Sequence, residues 1–463
     1  MLEEKTSDAL QTKILRRDFL KSLATLGLVT SATGLLSACL PAQTPVISRG
    51  EEIPNNTSSG EIHGAISFMV SGTTVEEGIY RSLAERFQGQ QPGVEVTISN
   101  IPTGNAYRKQ LAMDMAAGTP ADVFIINYRR QVEYTSQRVL EPLGPYLEAS
   151  SQIQHNDFFE KALNAFSWQG VVNCIPQNIA SSVVYINKTL FDQHEVPYPS
   201  DGWNWEEFAQ TAKALTKDTD GDGQIDQWGL GSEAGAIRLA PFIWMNGGDL
   251  VDNAEEPTRL TLDTPETRSA LEWFMSLSNE LQVVPDAKTK LHRDRFIEGT
   301  LAMFIDSRRE TPSFRLVDHF DWDVVPLPTP PGKAKVNVLH SDAFSMAAAS
   351  KDKRAAWAFI EYANAQLGQA YLAESGRTVP SHKGVAQSPA FLDARVRPER
   401  SHVFLDAIPT IRALPLTKTW GDIETAINRE MEAAFRGAST LDAAIDGAVG
   451  RTLQYFKVRS PSS

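Results

Sequence analysis

The sequence predicts an α/β protein built as two lobes. Residues 65–126 alternate strand, helix, strand, helix, strand, and a second series of strands and helices follows Pro176. Alternation of this kind implies open sheets with helices on their faces. The length supports two such bodies, since 463 residues are about two or three domains' worth of core. Hydrophobic residues make up 42% and charged residues 22%, which is a globular composition.

The elements follow in order. Ala65 to Val70 is a short apolar run closed by Ser71-Gly72-Thr73, a strand and its turn. Val75 to Phe87 places Ile79, Leu83 and Phe87 on one helical face. Val94 to Ile98 alternates as a strand. Tyr107 to Ala117 reads as a helix stopped by Gly118-Thr119-Pro120, and Asp122 to Ile126 as a buried strand. The sheet of this lobe is expected to be mainly parallel. Its ligand end is expected at the carboxyl ends of strands, at Ser71-Gly72-Thr73 and Asn127-Tyr128. The second series holds a strand at Val183 to Ile186 and helices at Trp205 to Leu215 and Pro265 to Leu281. Phe296 to Ile305 turns from helix into strand, and Trp322 to Val325 is a strand. Further helices cover Arg354 to Ala365, Trp420 to Phe435 and Leu441 to Phe456. No short fixed period is present, which excludes solenoids and propellers.

The net charge is −13. An acidic chain repels polyphosphate, so nucleic acid is not an expected partner. Cys39 and Cys174 are the two cysteines, too few for a disulfide framework, a cysteine-rich zinc module or an iron–sulfur site.

Residues 1–38 read as an address. A charged segment with Arg16-Arg17 precedes a mildly apolar stretch, Ser22 to Ala38, that is too short and polar for a spanning helix. Arg16-Arg17-Asp18-Phe19-Leu20-Lys21 resembles the twin-arginine export motif, although Leu15 replaces the usual Ser or Thr. Leu36-Ser37-Ala38-Cys39 resembles the lipobox of bacterial lipoproteins, which implies lipidation of Cys39. Residues 39–61, rich in Pro, Ser, Thr and Asn, read as a flexible tether. The expected location is outside the cytoplasm, anchored by lipid to the cell envelope.

Asp218-Thr219-Asp220-Gly221-Asp222-Gly223-Gln224-Ile225-Asp226 matches the first nine positions of an EF-hand loop. Asp218, Asp220, Asp222, the Gln224 carbonyl and Asp226 are the candidate ligands of a structural calcium ion. Gly229 stands where the loop's bidentate Glu belongs. The bland alternative is a surface turn. No nucleophile elbow, zinc-protease helix, phosphate loop or dinucleotide fingerprint is present, so no enzyme is expected.

From about Gly64 to Phe456 the chain resembles the extracellular solute-binding proteins of ABC importers, the sugar-binding family related to maltose-binding protein. The resemblance rests on segments in a shared order. They include Asn105 to Lys109, Ala116 to Val123, Tyr185 to Phe191, Gly247-Gly248, Phe296 to Met303, Ser350 to Lys353 and Gly376 to Pro380. It implies a type II periplasmic-binding-protein-like fold with a ligand cleft at a hinge. One lobe would hold 62–178 and 341–376, the other 179–340 and 377–458. It implies a monomer that captures a sugar or oligosaccharide by hinge closure and delivers it to permease subunits in the membrane.

Pockets of that kind need hydroxyl-bonding groups and an aromatic face. The resemblance places the candidates at Gly72, Thr73, Asn127, Tyr128, Gln177, Asn178, Trp244, Asn246, Arg308, Arg309, His340 and Asp342. It adds Trp420, where maltose-binding protein stacks a Trp on sugar. Ala180 replaces a hinge glutamate, and Arg309 a stacking Trp. Arginine forks to carboxylate, so an acidic sugar is a second reading, with solvated lid arginines the alternative. The alternatives are an extracellular carbohydrate-active hydrolase and a ligand-sensing partner of a membrane receptor.

Overall fold

The computed structural model describes residues 61–457. The export segment, Cys39 and the tether up to residue 60 lie outside the described residues.

The first sheet has the strand order Val94–Asn100, Gly64–Val70, Val123–Asn127, Asp342–Met346, Ile175–Pro176. Its first three strands pair in parallel, whereas Asp342–Met346 runs antiparallel to both its neighbours. The expected parallel sheet is therefore mixed. The chain returns from the other lobe along Asp342–Met346 and has to enter in the opposite sense.

Local chemistry explains the flanking helices. Thr73 and Glu76 form a capping box at the start of Thr74–Gln90, satisfying backbone N–H groups that the first turn leaves free. That helix buries Ile79, Leu83 and Phe87. Phe87 and Phe68 meet Phe359 with ring centroids 5.3 and 5.1 Å apart. Full burial of such a ring contributes about 1.5–3 kcal/mol. Helix Gly104–Ala117 stops at Gly118, whose φ of +71° suits glycine.

The second sheet has the order Trp322–Val325, Val183–Asn187, Leu301–Asp306, Trp228–Gly231. Two of its pairings are antiparallel and one is parallel. Helices Ala236–Met245, Pro265–Asn279 and Trp420–Phe435 belong to this lobe. Phe274 and Phe435 lie 5.3 Å apart by centroid, and Asn428 Oδ1 accepts from the Ala236 N–H at 2.7 Å. Among the described residues, no helix is long and apolar enough to cross a membrane.

Three segments cross between the sheets side by side. Ala180 and His340 exchange backbone hydrogen bonds of 2.9 and 2.8 Å, and the Ile179 N–H donates to Val379 O at 3.0 Å. Asn178 laces them together. Its Nδ2 donates to His340 O at 3.1 Å, and its Oδ1 accepts from the Asp342 N–H at 2.8 Å.

Candidate functional site

A cleft of about 500 Å³ opens beside these crossovers. The first lobe contributes Ser71, Tyr107, Arg108, Asn127, Arg129, Arg130 and Tyr134. The second contributes Arg309, Lys418, Gly421, Glu424 and Asn428. Ser71 and Asn127 follow or end strands Gly64–Val70 and Val123–Asn127, so the cleft sits at the carboxyl ends of the parallel strands.

Each wall is held from behind. The buried Tyr107 hydroxyl donates to Ile125 O at 2.7 Å, which fixes its ring. Asn127 caps helix Tyr128–Ser136, and its Nδ2 donates to Asp342 Oδ1 at 2.9 Å. Arg129 and Arg130 lie in the first turn of that helix. Both pair with Glu424 of helix Trp420–Phe435 across the cleft, Arg130 at 2.8 Å. Burial lowers Arg130 to about 10, and repulsion from Arg129 and Arg108 adds to this. A second carboxylate, Glu76, meets Arg377 at 3.0 Å and Arg309 of the opposite lobe at 3.7 Å. Burial alone would raise its pKa, but the two guanidinium groups outweigh that and hold it below its usual value.

The structure brings Asn127, Arg309 and Asp342 to the cleft wall. The other expected ligand residues do different work. Thr73 is spent on the helix cap, and Gly72 O accepts from Asn100 Nδ2 at 3.1 Å. Tyr128 is fully buried, and its hydroxyl accepts from the Leu414 N–H at 3.2 Å. Gln177 is buried and accepts from the Tyr80 hydroxyl at 3.0 Å. Asn178 and His340 belong to the crossovers. His340 Nε2 sits 3.1 Å from Ser182 Oγ. Burial first, then Arg238, Arg129 and Arg309, hold its pKa well below normal.

Trp244 lies under the Arg412 guanidinium, and its indole donates to Asp249 at 2.8 Å. Asn246 donates to Glu266 O. Arg308 points into the core, donates to Ser401 Oγ at 2.9 Å and lies over the rings of Phe391 and Phe404. Trp420 is 0% exposed, so its ring presents no stacking face to a solute. The residues that line the cleft instead, Tyr107, Arg108, Arg129, Arg130 and Tyr134, sit next to sequence segments already singled out.

The Asp218 loop is closed at its base by paired backbone bonds between Lys217 and Gln227. Ligand atoms of Asp218, Asp220 and Asp222 lie within 4.8 Å of one another. Asp226 instead accepts from the Thr219 N–H and hydroxyl, at 3.0 and 2.7 Å. Gly229 packs with its missing Cβ position 1.8 Å from Ala212 O, so no side chain fits there. Asp218, Asp220 and Asp222 are the residues there that could hold a hard cation.

Comparison with known proteins places this geometry. The chain is 22% identical over 403 residues to a binding protein of Brucella abortus (strain 2308), covering 84% of this chain and 92% of that one. It is 24% identical over 424 residues to the erythritol/L-threitol-binding protein of Mycolicibacterium smegmatis, covering 81% and 83%. Its fold matches the ABC substrate-binding protein of Listeria monocytogenes solved with cycloalternan. That match has a TM-score of 0.78 at 22% identity, over 86% of this chain and all of the other. Residues 71–370 match the family described as bacterial extracellular solute-binding protein. Covering well over half of the chain, all of the second sheet and most strands of the first, that match makes this chain a member of the bacterial extracellular solute-binding protein family.

Proposed function

We propose that the chain is the solute-capturing component of an ABC importer, taking up a sugar, oligosaccharide or polyol. The observation that carries this is the cleft itself. It lies between two sheets that the chain links through crossover segments lying side by side, so the walls can part and close as rigid bodies. Closure on a solute biases a pre-existing open–closed equilibrium. Similarity to proteins whose names record erythritol, L-threitol and cycloalternan supports a polyhydroxylated solute. Delivery would be to permease subunits, with no chemical change to the solute.

The same reading covers the finer points. The chain is exported, held on the envelope by lipid at Cys39, monomeric, and stiffened by calcium in the Asp218 loop. The twin-arginine motif would send it out already folded.

The test is a thermal-shift screen of the purified chain against neutral and acidic mono- and oligosaccharides and polyols, followed by calorimetry and chromatography. A solute that binds the folded state raises the midpoint by mass action. A shift with the compound recovered intact is expected. A released product would instead make the chain a hydrolase, and silence across the panel would end the sugar reading.

A further inference from the structure

The cleft and the chain differ in sign. The chain carries −13 overall, yet six cationic side chains and four carboxylates line the cleft. Glu424 is shared by Arg129 and Arg130. Arg108 donates to the Asn105 side-chain oxygen, and the Lys418 ammonium rests 5.6 Å from the Trp168 ring centroid. Neither forms an ion pair with a carboxylate among the described residues. The other acids at this end are Glu133, which draws on Arg130 through space, and Asp422. Neither is in an ion pair among the described residues, and burial pushes the Glu133 carboxyl up.

The backbone adds to the imbalance. Gly104 opens helix Gly104–Ala117, Asn127 caps helix Tyr128–Ser136, and Gly421 and Asp422 lie in the first turn of Trp420–Phe435. All four residues line the cleft. Three helix N-termini therefore face one space, each with the positive end of its dipole, although Thr103, Asn127 and the Thr419 carbonyl already accept from N–H groups of the first turns. Thr419 gives the last of these helices no side-chain cap. The approach of Arg130 to that helix depends on a glycine, since a Cβ at Gly421 would stand 1.9 Å from Arg130 Nη1. Three guanidinium groups and three helix ends meet there, with Glu424 as the paired carboxylate.

We propose that the captured solute carries an anionic group, a carboxylate or a phosphate, held by Arg108 and Arg130 where helices Tyr128–Ser136 and Trp420–Phe435 begin. This rests on the cleft being the solute site. Of the arginine pair singled out in the sequence, Arg308 is in the core and takes no part, whereas Arg309 lines the cleft beside Glu76.

The experiment is calorimetry on the purified full chain at low and moderate salt. The probes are neutral compounds (maltose, erythritol), uronates (galacturonate and its dimer), phosphates (glucose 6-phosphate, glycerol 3-phosphate) and bare acetate and inorganic phosphate. A uronate or a phosphate ester is expected to bind, more weakly as salt rises. Arg108→Gln and Arg130→Gln should each weaken it by about tenfold or more, while Lys109→Gln, next to Arg108 but off the cleft wall, should not. Arg108 is exposed, so its variant tests the site without risk to the fold. Uronate binding alone assigns a carboxylate, and phosphate binding alone a phosphate ester. A neutral sugar that binds unaltered by either variant overturns the anion subsite and leaves the solute-binding reading standing. Binding of bare anions without any sugar does the reverse. Binding of nothing on the panel overturns both.

Discussion

Arg130 Nη2 and Glu424 Oε2 stand 2.8 Å apart on helices from opposite lobes. The carboxylate is almost fully buried, with Arg129 on its other oxygen. With Glu76 and Arg309 it makes two ionic ties across the cleft.

Glu424→Gln should loosen the tie between the lobes. Removing one partner of a buried pair leaves the other charge uncompensated, at a cost of about 3 kcal/mol. Small-angle scattering of the solute-free variant should show a larger radius of gyration than the parent. An unchanged radius would mean that the ion pair does not hold the lobes together.

Asn178→Ala should weaken the crossovers without touching either core. It orphans the Asp342 N–H and removes the bond to His340 O. Leaving a buried donor unpaired costs about 1–3 kcal/mol. Urea unfolding should report that loss as a lower midpoint at an unchanged slope.

Calcium should raise the thermal midpoint of the parent and not that of Asp218→Asn/Asp222→Asn. The carboxylates of Asp218, Asp220 and Asp222 converge, and neutralising two of them removes most of the charge a hard cation needs. Equal midpoints with about 1 mM calcium and with chelator would make the loop a plain turn.

His292 should make the chain sensitive to mild acid. Burial first, then Arg295 and Arg436, lower its pKa from 6.5 to about 4, against a backbone hydrogen bond with Ser232 and a weaker pull from Asp286. The folded state therefore holds the neutral ring. Its contribution is complete above pH 6.5 and is lost as pH falls from 6.5 toward 4, where the unfolded chain takes up the proton first. At pH 5 the loss is about 2 kcal/mol. Relative to His292→Gln, the parent should lose stability between pH 7.5 and 5. Parallel pH curves for the two chains would rule this out.

Much of this architecture was legible in the sequence, for reasons particular to each segment. Trp420–Phe435 and Leu441–Phe456 appear with the expected limits, because their apolar spacing is unbroken. Helix Tyr128–Ser136 was missed because it starts on the residue after strand Val123–Asn127, with no breaker between them. The strand Asp342–Met346 was hidden because it pairs with partners far away in sequence. Trp420 was misplaced although its spacing held the answer. Ile423, Ile427 and Met431 share its buried stripe, and that stripe faces the core. Adjacent Arg308 and Arg309 fall on opposite sides of a single turn, which charge alone could not tell apart. The cleft arginines needed the fold, since Arg108, Arg130 and Lys418 meet only in three dimensions.

Strand Asp342–Met346 lies between Val123–Asn127 and Ile175–Pro176, and the Asn127–Asp342 side-chain bond spans 215 positions of chain. During synthesis the first sheet therefore lacks an interior member until most of the polypeptide has been made. Neither lobe is a contiguous stretch that can be cut out and expected to fold. Contacts so distant along the chain also slow the search for the native state. A protein assembled in this way spends longer with an open sheet edge than one whose lobes follow each other, and it is in that interval that it most needs protection from its neighbours.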